Sequence, residues 1–226
     1  MDWVAWHDAY DDPGSALARR LGWVQQEIRT VLAAAPPGPV TVVSMCAGQG
    51  RDLIGALAGH PRAGDVRARL VELDPANVNR AREAAQASGL GGIEVVRGDA
   101  GLTDHYLDLA PADLVLACGV FGNIPDAEVA ATIDACAALC RQGGAVIWTR
   151  HRRPPDLVPV ICSWFETRGF ERVAVAGIGF GAGVHRRVVQ PARARPGVRM
   201  FRFTDRSGSR PQEPSVSNDF RPRGST

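Results

Sequence analysis

The 226-residue chain contains no lysine, so all 26 of its basic residues are arginine. That absence excludes a lysine as catalytic base or Schiff-base former. It also excludes the GxxxxGK(S/T) phosphate loop, which cannot be built without lysine. No apolar run approaches the ~20 residues that a membrane-spanning helix requires. A large charge of one sign is lacking too: 26 basic against 24 acidic residues leave a net charge of +2. The arginines are dispersed through most of the chain, which argues against a nucleic-acid surface. Cysteines occur at 46, 118, 136, 140 and 162, with no CxxC pair and no zinc-like spacing, so no metal site is expected. Cys136 and Cys140 fall on one helix face and read as small buried hydrophobes. An odd cysteine count and no leader-like N-terminal pattern point to a reducing, cytoplasmic setting.

What is present is an ordinary globular composition, 45% hydrophobic and 22% charged. Asp12-Pro13 reads as a helix cap followed by proline at the first helical position. Leu17, Leu21, Val24, Ile28 and Val31 then recur at helical spacing, and residues 33–39 break the helix. From there short apolar strands alternate with helices. Strands are expected at 40–45, 68–73, 93–96, 113–118 and 145–149, and helices at 51–59, 76–88, 126–140 and 157–168. This alternation predicts an α/β fold, a doubly wound and mostly parallel sheet with helices on both faces. Residues 170–176, 184–189 and 198–203 are strand-like with no helix between them, which suggests an antiparallel finish. Three regions are expected: an N-terminal helical lid segment (1–37), the α/β domain (38–204) and a flexible, apolar-poor tail (205–226).

Four features fall at successive strand ends, where open parallel sheets bind ligands. The first is the glycine loop Ser44-Met45-Cys46-Ala47-Gly48-Gln49-Gly50. The second is Glu72, followed by Leu73, 22 residues after Gly50. A carboxylate there can accept from both hydroxyls of a ribose. The third is Asp99 with Ala100, placed to accept from an adenine amino group. The fourth is the apolar, glycine-rich stretch containing Cys118 and Gly119. Together they read as a nucleoside site. The dinucleotide fingerprint GxGxxG does not fit: aligned on Gly48 and Gly50, its third glycine falls on Leu53.

In these residues the chain resembles the class I (Rossmann-like) methyltransferase family over about residues 38–190. Gly48 and Gly50 match that family's first motif, with Ser44 in place of the acid and Cys46 in place of the first glycine. The resemblance places the ribose ligand on Glu72, the adenine-contacting acid on Asp99 and the fourth-strand motif on 113–119. It implies a seven-stranded sheet of order 3-2-1-4-5-7-6 with strand 7 antiparallel, an N-terminal helical lid, and S-adenosyl-L-methionine as cofactor. Ser44 brings no charge to the methionine ammonium, so Asp11, Asp52 or a backbone carbonyl is expected to assist.

Candidate acceptor-side residues are Tyr10, Phe121, Asn123 and His151. His151 is the first candidate for a general base and His7 the second. Trp3 and Trp6 either belong to a closing lid or anchor the N-terminus to the core. The expected activity is methyl transfer to O or N of a small molecule, in specialised metabolism. The expected partner is that methyl acceptor, with no nucleic acid and no membrane; a homodimer is left open. Three alternatives also stay open: a non-catalytic S-adenosylmethionine or S-adenosylhomocysteine-binding scaffold, a nucleotide-dependent oxidoreductase and an RNA methyltransferase.

Overall fold

The structure is a computed structural model that describes residues 12, 14–177 and 179–203. Its sheet contains β1 (Val40–Met45), β2 (Val66–Glu72), β3 (Ile93–Arg97), β4 (Ala112–Ala117), β5 (Cys140–Arg150), β6 (Phe170–Val175) and β7 (Gly181–Arg187). The helices are α1 (Ala16–Ala34), α2 (Arg51–Leu57), α3 (Pro75–Ala87), α4 (Asp126–Leu139) and α5 (Val158–Glu166). The strand order is β3-β2-β1-β4-β5-β7-β6. Strands β1 to β5 pair in parallel, and β7 runs antiparallel to both β5 and β6. This is the strand order that the family resemblance implies, and its antiparallel finish is the one the sequence pattern suggests.

Side chains of a strand alternate between faces, and here each face meets its own helical layer. Val42, Leu114, Leu116 and Ile147 pack with Val24, Ile28 and Leu32 of α1, Leu53 of α2 and Val78 of α3. Their neighbours Val43, Val115, Val146 and Trp148 pack on the other side with Ile133 of α4 and Ile161 and Phe165 of α5. Both faces of the sheet are thus covered, which is why the strands read as near-continuous apolar runs.

Three details differ from the sequence-based expectation. The cap of α1 is Ser15, whose side chain accepts from Ala18 N at 2.9 Å, whereas Asp12 accepts from Gly14 N in the preceding turn. Strand β5 begins at Cys140 rather than at 145, because Cys140 already pairs with Ala112 across a register shift. Gly144 permits this: a Cβ there would sit 2.8–3.0 Å from the carbonyl oxygens of Asp113, Ala112 and Arg141. Residues 198–203 form no sheet strand. They make one bridge, Leu102 to Arg199, and bury Met200 and Phe201 in the core beside the loop after β3.

His185 on β7 has a structural place. Its ring stacks on Phe165 at 4.6 Å, and its Nδ1 accepts from the Trp148 indole at 3.1 Å. Burial, helped by the charge of Arg172, pushes its pKa down to about 4. The folded state therefore resists a proton that the unfolded chain accepts, and stability falls as pH drops from about 6.5 towards 4. Between pH 6.5 and 5 this site should cost about 1.5 kcal/mol. Denaturant titrations at the two pH values should show that loss, and His185→Phe should largely remove it. An equal loss in the variant would assign the acid sensitivity elsewhere.

Candidate active site

The glycine loop leaves the carboxyl end of β1. Cys46, Gly48 and Gly50 all take the left-handed backbone, with φ of 51°, 55° and 70°. Cys46 is the one non-glycine residue with positive φ among the described residues, so the cysteine keeps the backbone shape that a glycine holds without strain. At Gly50 a Cβ would lie 2.7 Å from Ile54 Cδ1 and 2.9 Å from Leu70 Cδ2, so a side chain there would collide with the core beneath the loop. Ala47 N bonds Val71 O and Gly50 N bonds Ala47 O, tying the loop to β2 and closing its turn.

Glu72, at the end of β2, acts as a clamp. Its Oε2 accepts from Gly48 N at 2.8 Å, and Oε1 accepts from Leu73 N at 3.0 Å and Asp74 N at 2.9 Å. A carboxylate has about four lone-pair sites. The three backbone bonds therefore fix its orientation and leave room for a further donor. Beside it Leu73 is 65% exposed, a large apolar side chain left uncovered next to a carboxylate. Ala100, by contrast, is buried.

Asp99, in the loop after β3, is also held. Oδ1 accepts from Gly101 N at 2.9 Å, and Oδ2 pairs with Arg199 at 2.8 Å. Burial opposes its ionisation, but the Arg199 guanidinium and the Gly101 N–H outweigh it and hold the carboxyl below the usual range.

After β4, Gly119 N donates to Thr149 Oγ1 at 2.8 Å, and Asn123 Nδ2 donates to Gly119 O at 2.7 Å. Asn123 thereby shapes the loop it sits in. Gly119 has φ of 76°, and a Cβ there would meet nothing within 4 Å, so the backbone borders open space. Close by, Asp52 in the first turn of α2 accepts from Leu53 N. Burial raises its carboxyl pKa, against the lowering effects of backbone N–H groups, the Arg20 charge and the Cys118 thiol. Burial likewise pushes the Cys118 thiol well up, with Asp52 adding to the effect.

A cavity of about 570 Å³ opens beside Gly119. It lies between α1, which contributes Leu17 and Arg20, the β4 loop, the end of β5 at residues 149–153, and Phe180 before β7. Trp23 of α1 meets Phe180 edge-on at 6.4 Å, bringing the helix against the hairpin. Asn123 and His151 line this cavity. Arg153 N donates to His151 Nδ1 at 3.3 Å.

Other candidates lie elsewhere. Phe121 is fully buried against Trp148 at 5.9 Å and Phe165 at 6.4 Å, in the core rather than on the cavity wall. Ser44 is enclosed within β1 at 1% exposure. His7, Tyr10 and Asp11, with Trp3 and Trp6, lie outside the described residues, as does the tail from 205 onward. Sequence reasoning missed Arg20 and Arg199 as site residues. Arg20 had a signal: it sits three residues after Leu17 and four before Val24, on the stripe where an apolar residue is expected.

A family model described as a methyltransferase domain matches residues 42–144. Over that stretch the chain is similar to methyltransferase domains. The strand ends bring together two oriented carboxylates, an uncovered leucine between them in sequence and a left-handed loop. No curated protein matches the chain by sequence. Solved structures that resemble it share the fold at low identity. An O-methyltransferase family protein from Burkholderia thailandensis is 21% identical with a TM-score of 0.62, over 82% of this chain and 59% of that one. The chain thus spans less than two thirds of that protein's length. Magnesium protoporphyrin IX methyltransferase from Synechocystis PCC 6803, with bound SAM, is 16% identical with a TM-score of 0.61, over 83% and 91% of the two chains. An O-methyltransferase family 2 protein from Planctomyces limnophilus, in complex with apigenin, is 18% identical with a TM-score of 0.58, over 76% and 60%. Among the described residues, no helix is long and apolar enough to cross a membrane.

Proposed function

We propose that the chain transfers the methyl group of S-adenosylmethionine to an oxygen or nitrogen of a small molecule. The observation that carries this reading is the cavity of about 570 Å³ bordering Gly119, in the loop after β4, the strand that pairs in parallel with β1 and its glycine loop. Its volume is that of a small-molecule site. The donor supplies an electrophilic methyl carbon with its own leaving group. Glu72 holds the ribose hydroxyls, Asp99 the adenine amino group and Leu73 an adenine face. Asp52 meets the methionine ammonium, the role for which Ser44 is too enclosed.

On the acceptor side the cavity fixes the nucleophile in line with the methyl carbon, which converts a bimolecular displacement into a positioned one. The acceptor's lone pair forms the new bond to carbon, and the carbon–sulfur bond breaks with its pair left on sulfur. His151 takes the proton released by a hydroxyl or neutral amine acceptor and passes it to solvent. Positive charge on sulfur disappears as the bond breaks, so exclusion of water from the site favours the step.

Calorimetric titration with S-adenosylmethionine and S-adenosylhomocysteine tests the donor site. A screen of hydroxyl and amine acceptors for S-adenosylhomocysteine release tests the transfer. His151→Ala should then lower kcat about 100-fold or more, the scale of a general base, while leaving donor affinity unchanged. Donor binding without turnover of any acceptor would replace the enzyme by a binding scaffold. An unchanged kcat in His151→Ala would remove the base.

A further inference from the structure

We infer that the acceptor carries an anionic group, a carboxylate or phosphate, which the arginines around the cavity recognise; this rests on the cavity being the acceptor site. Among the described residues lining it are Arg20, Arg150, Arg152 and Arg153, together with His151, and no aspartate or glutamate. A concave wall of one charge sign concentrates the field inside it.

The arginines differ in their duties. Arg150 is almost fully buried; it donates to Phe121 O at 2.6 Å and pairs with Asp126 at 2.8 Å. Arg152 donates to Phe180 O and Ala176 O and pairs with Asp156. These two are anchored, so their positive charges are fixed before any ligand arrives. Their acidic partners do not line the cavity, and both are partly open to solvent, with side-chain exposures of 57% for Asp126 and 36% for Asp156. Water therefore screens the acids more than it screens the buried Arg150. Arg20 faces Asp52 from α1, which offsets part of its charge. The guanidinium of Arg153 is exposed and makes no hydrogen bond or ion pair among the described residues. It keeps its fork of donors for a ligand, and that fork matches the paired oxygens of a carboxylate or phosphate.

A protonated amine would be repelled from such a wall. The acceptor is then a neutral nucleophile on a molecule whose other end is an oxyanion, drawn in by charge and oriented by Arg153. Arg150 and Arg152 are already in place, so only Arg153 loses side-chain freedom when the ligand binds.

Benzoate, phenyl phosphate and benzamide serve as probes. Their binding is followed by saturation-transfer NMR and calorimetry on the full chain, with and without S-adenosylhomocysteine. At low salt at least one anion should bind about tenfold or more tightly than benzamide. That advantage should shrink as ionic strength rises to about 0.3 M, and Arg153→Gln should cut it at least about threefold. A lead of benzoate over phenyl phosphate assigns a carboxylate, and the reverse assigns a phosphate. Equal binding of all three probes, or no binding by either anion at millimolar concentration, overturns the inference. Arg153→Gln binding the anions as tightly as the parent overturns it as well. Failure of S-adenosylhomocysteine to bind would instead strike the methyl-transfer reading, and the probe series without it still reports on the anion.

Discussion

Replacing Glu72 by alanine should weaken S-adenosylmethionine binding by about 1.5–3 kcal/mol, roughly 10- to 150-fold, in a calorimetric titration. Two contributions combine in that figure. The carboxylate that would accept from ribose hydroxyls is lost, and so is the acceptor of three backbone N–H groups, those of Gly48, Leu73 and Asp74. The second loss loosens the very loop that approaches the donor. The two are separable with an analogue of S-adenosylhomocysteine lacking both ribose hydroxyls. If Glu72 reads the ribose, Glu72→Ala costs this analogue clearly less than it costs the parent ligand. If Glu72 only clamps the loop, both ligands lose affinity equally. Glu72→Gln keeps one acceptor oxygen but turns an NH₂ towards an N–H donor, so it should fall between parent and alanine. The fold should survive, because the clamp lies at the edge of a core carried by β1, β2 and their helices. Unchanged affinity for the full ligand would take Glu72 out of the site.

The sheet was legible because its strands are buried on both faces. Runs such as Val42-Val43 and Leu114-Val115-Leu116 serve two helical layers at once, and such runs between helical segments have few other uses. The positions of Glu72 and Asp99 were legible for a related reason: β2 ends at Glu72, and β3 ends two residues before Asp99. Residues 198–203 look as strand-like as β7, yet they run past the loop after β3, held by Met200 N to Gly101 O and Thr103 N to Val198 O. Nothing local distinguishes a strand that enters a sheet from a segment that crosses its end. Phe121 shows the same limit. An aromatic residue beside Gly119 and Gly122 suits a pocket wall or a core equally, and the deciding contacts come from Trp148 and Phe165, far along the chain. The ion pair of Arg199 with Asp99 spans 100 residues and had no signature in the sequence.

That ion pair leads to the last expected result. Asp99→Asn should weaken S-adenosylmethionine binding by about 1.5–3 kcal/mol, the worth of hydrogen bonds to a charged group. A smaller loss is expected for an analogue without the adenine amino group. Arg199→Gln leaves the carboxylate in place but removes the charge that orients it through Oδ2. Arg199 and Asp99 are both partly exposed, with side-chain exposures of 35% and 44%, so the pair itself adds at most about 1 kcal/mol to stability. Met200 and Phe201 keep the segment docked in the core without it. The variant should therefore melt close to the parent at neutral pH. Asp99 in the parent is held below the usual carboxylate range. Its contribution to stability is present above that range and is lost as pH falls through it. Arg199→Gln lets the carboxyl titrate higher, so its donor affinity should begin to fall at a higher pH than that of the parent. Calorimetric titrations from pH 7 down to about 4 should show this displacement. Coincident pH profiles would mean that Arg199 only fastens the C-terminal segment. Equal losses in Asp99→Asn for the two ligands would mean that Asp99 does not meet the base.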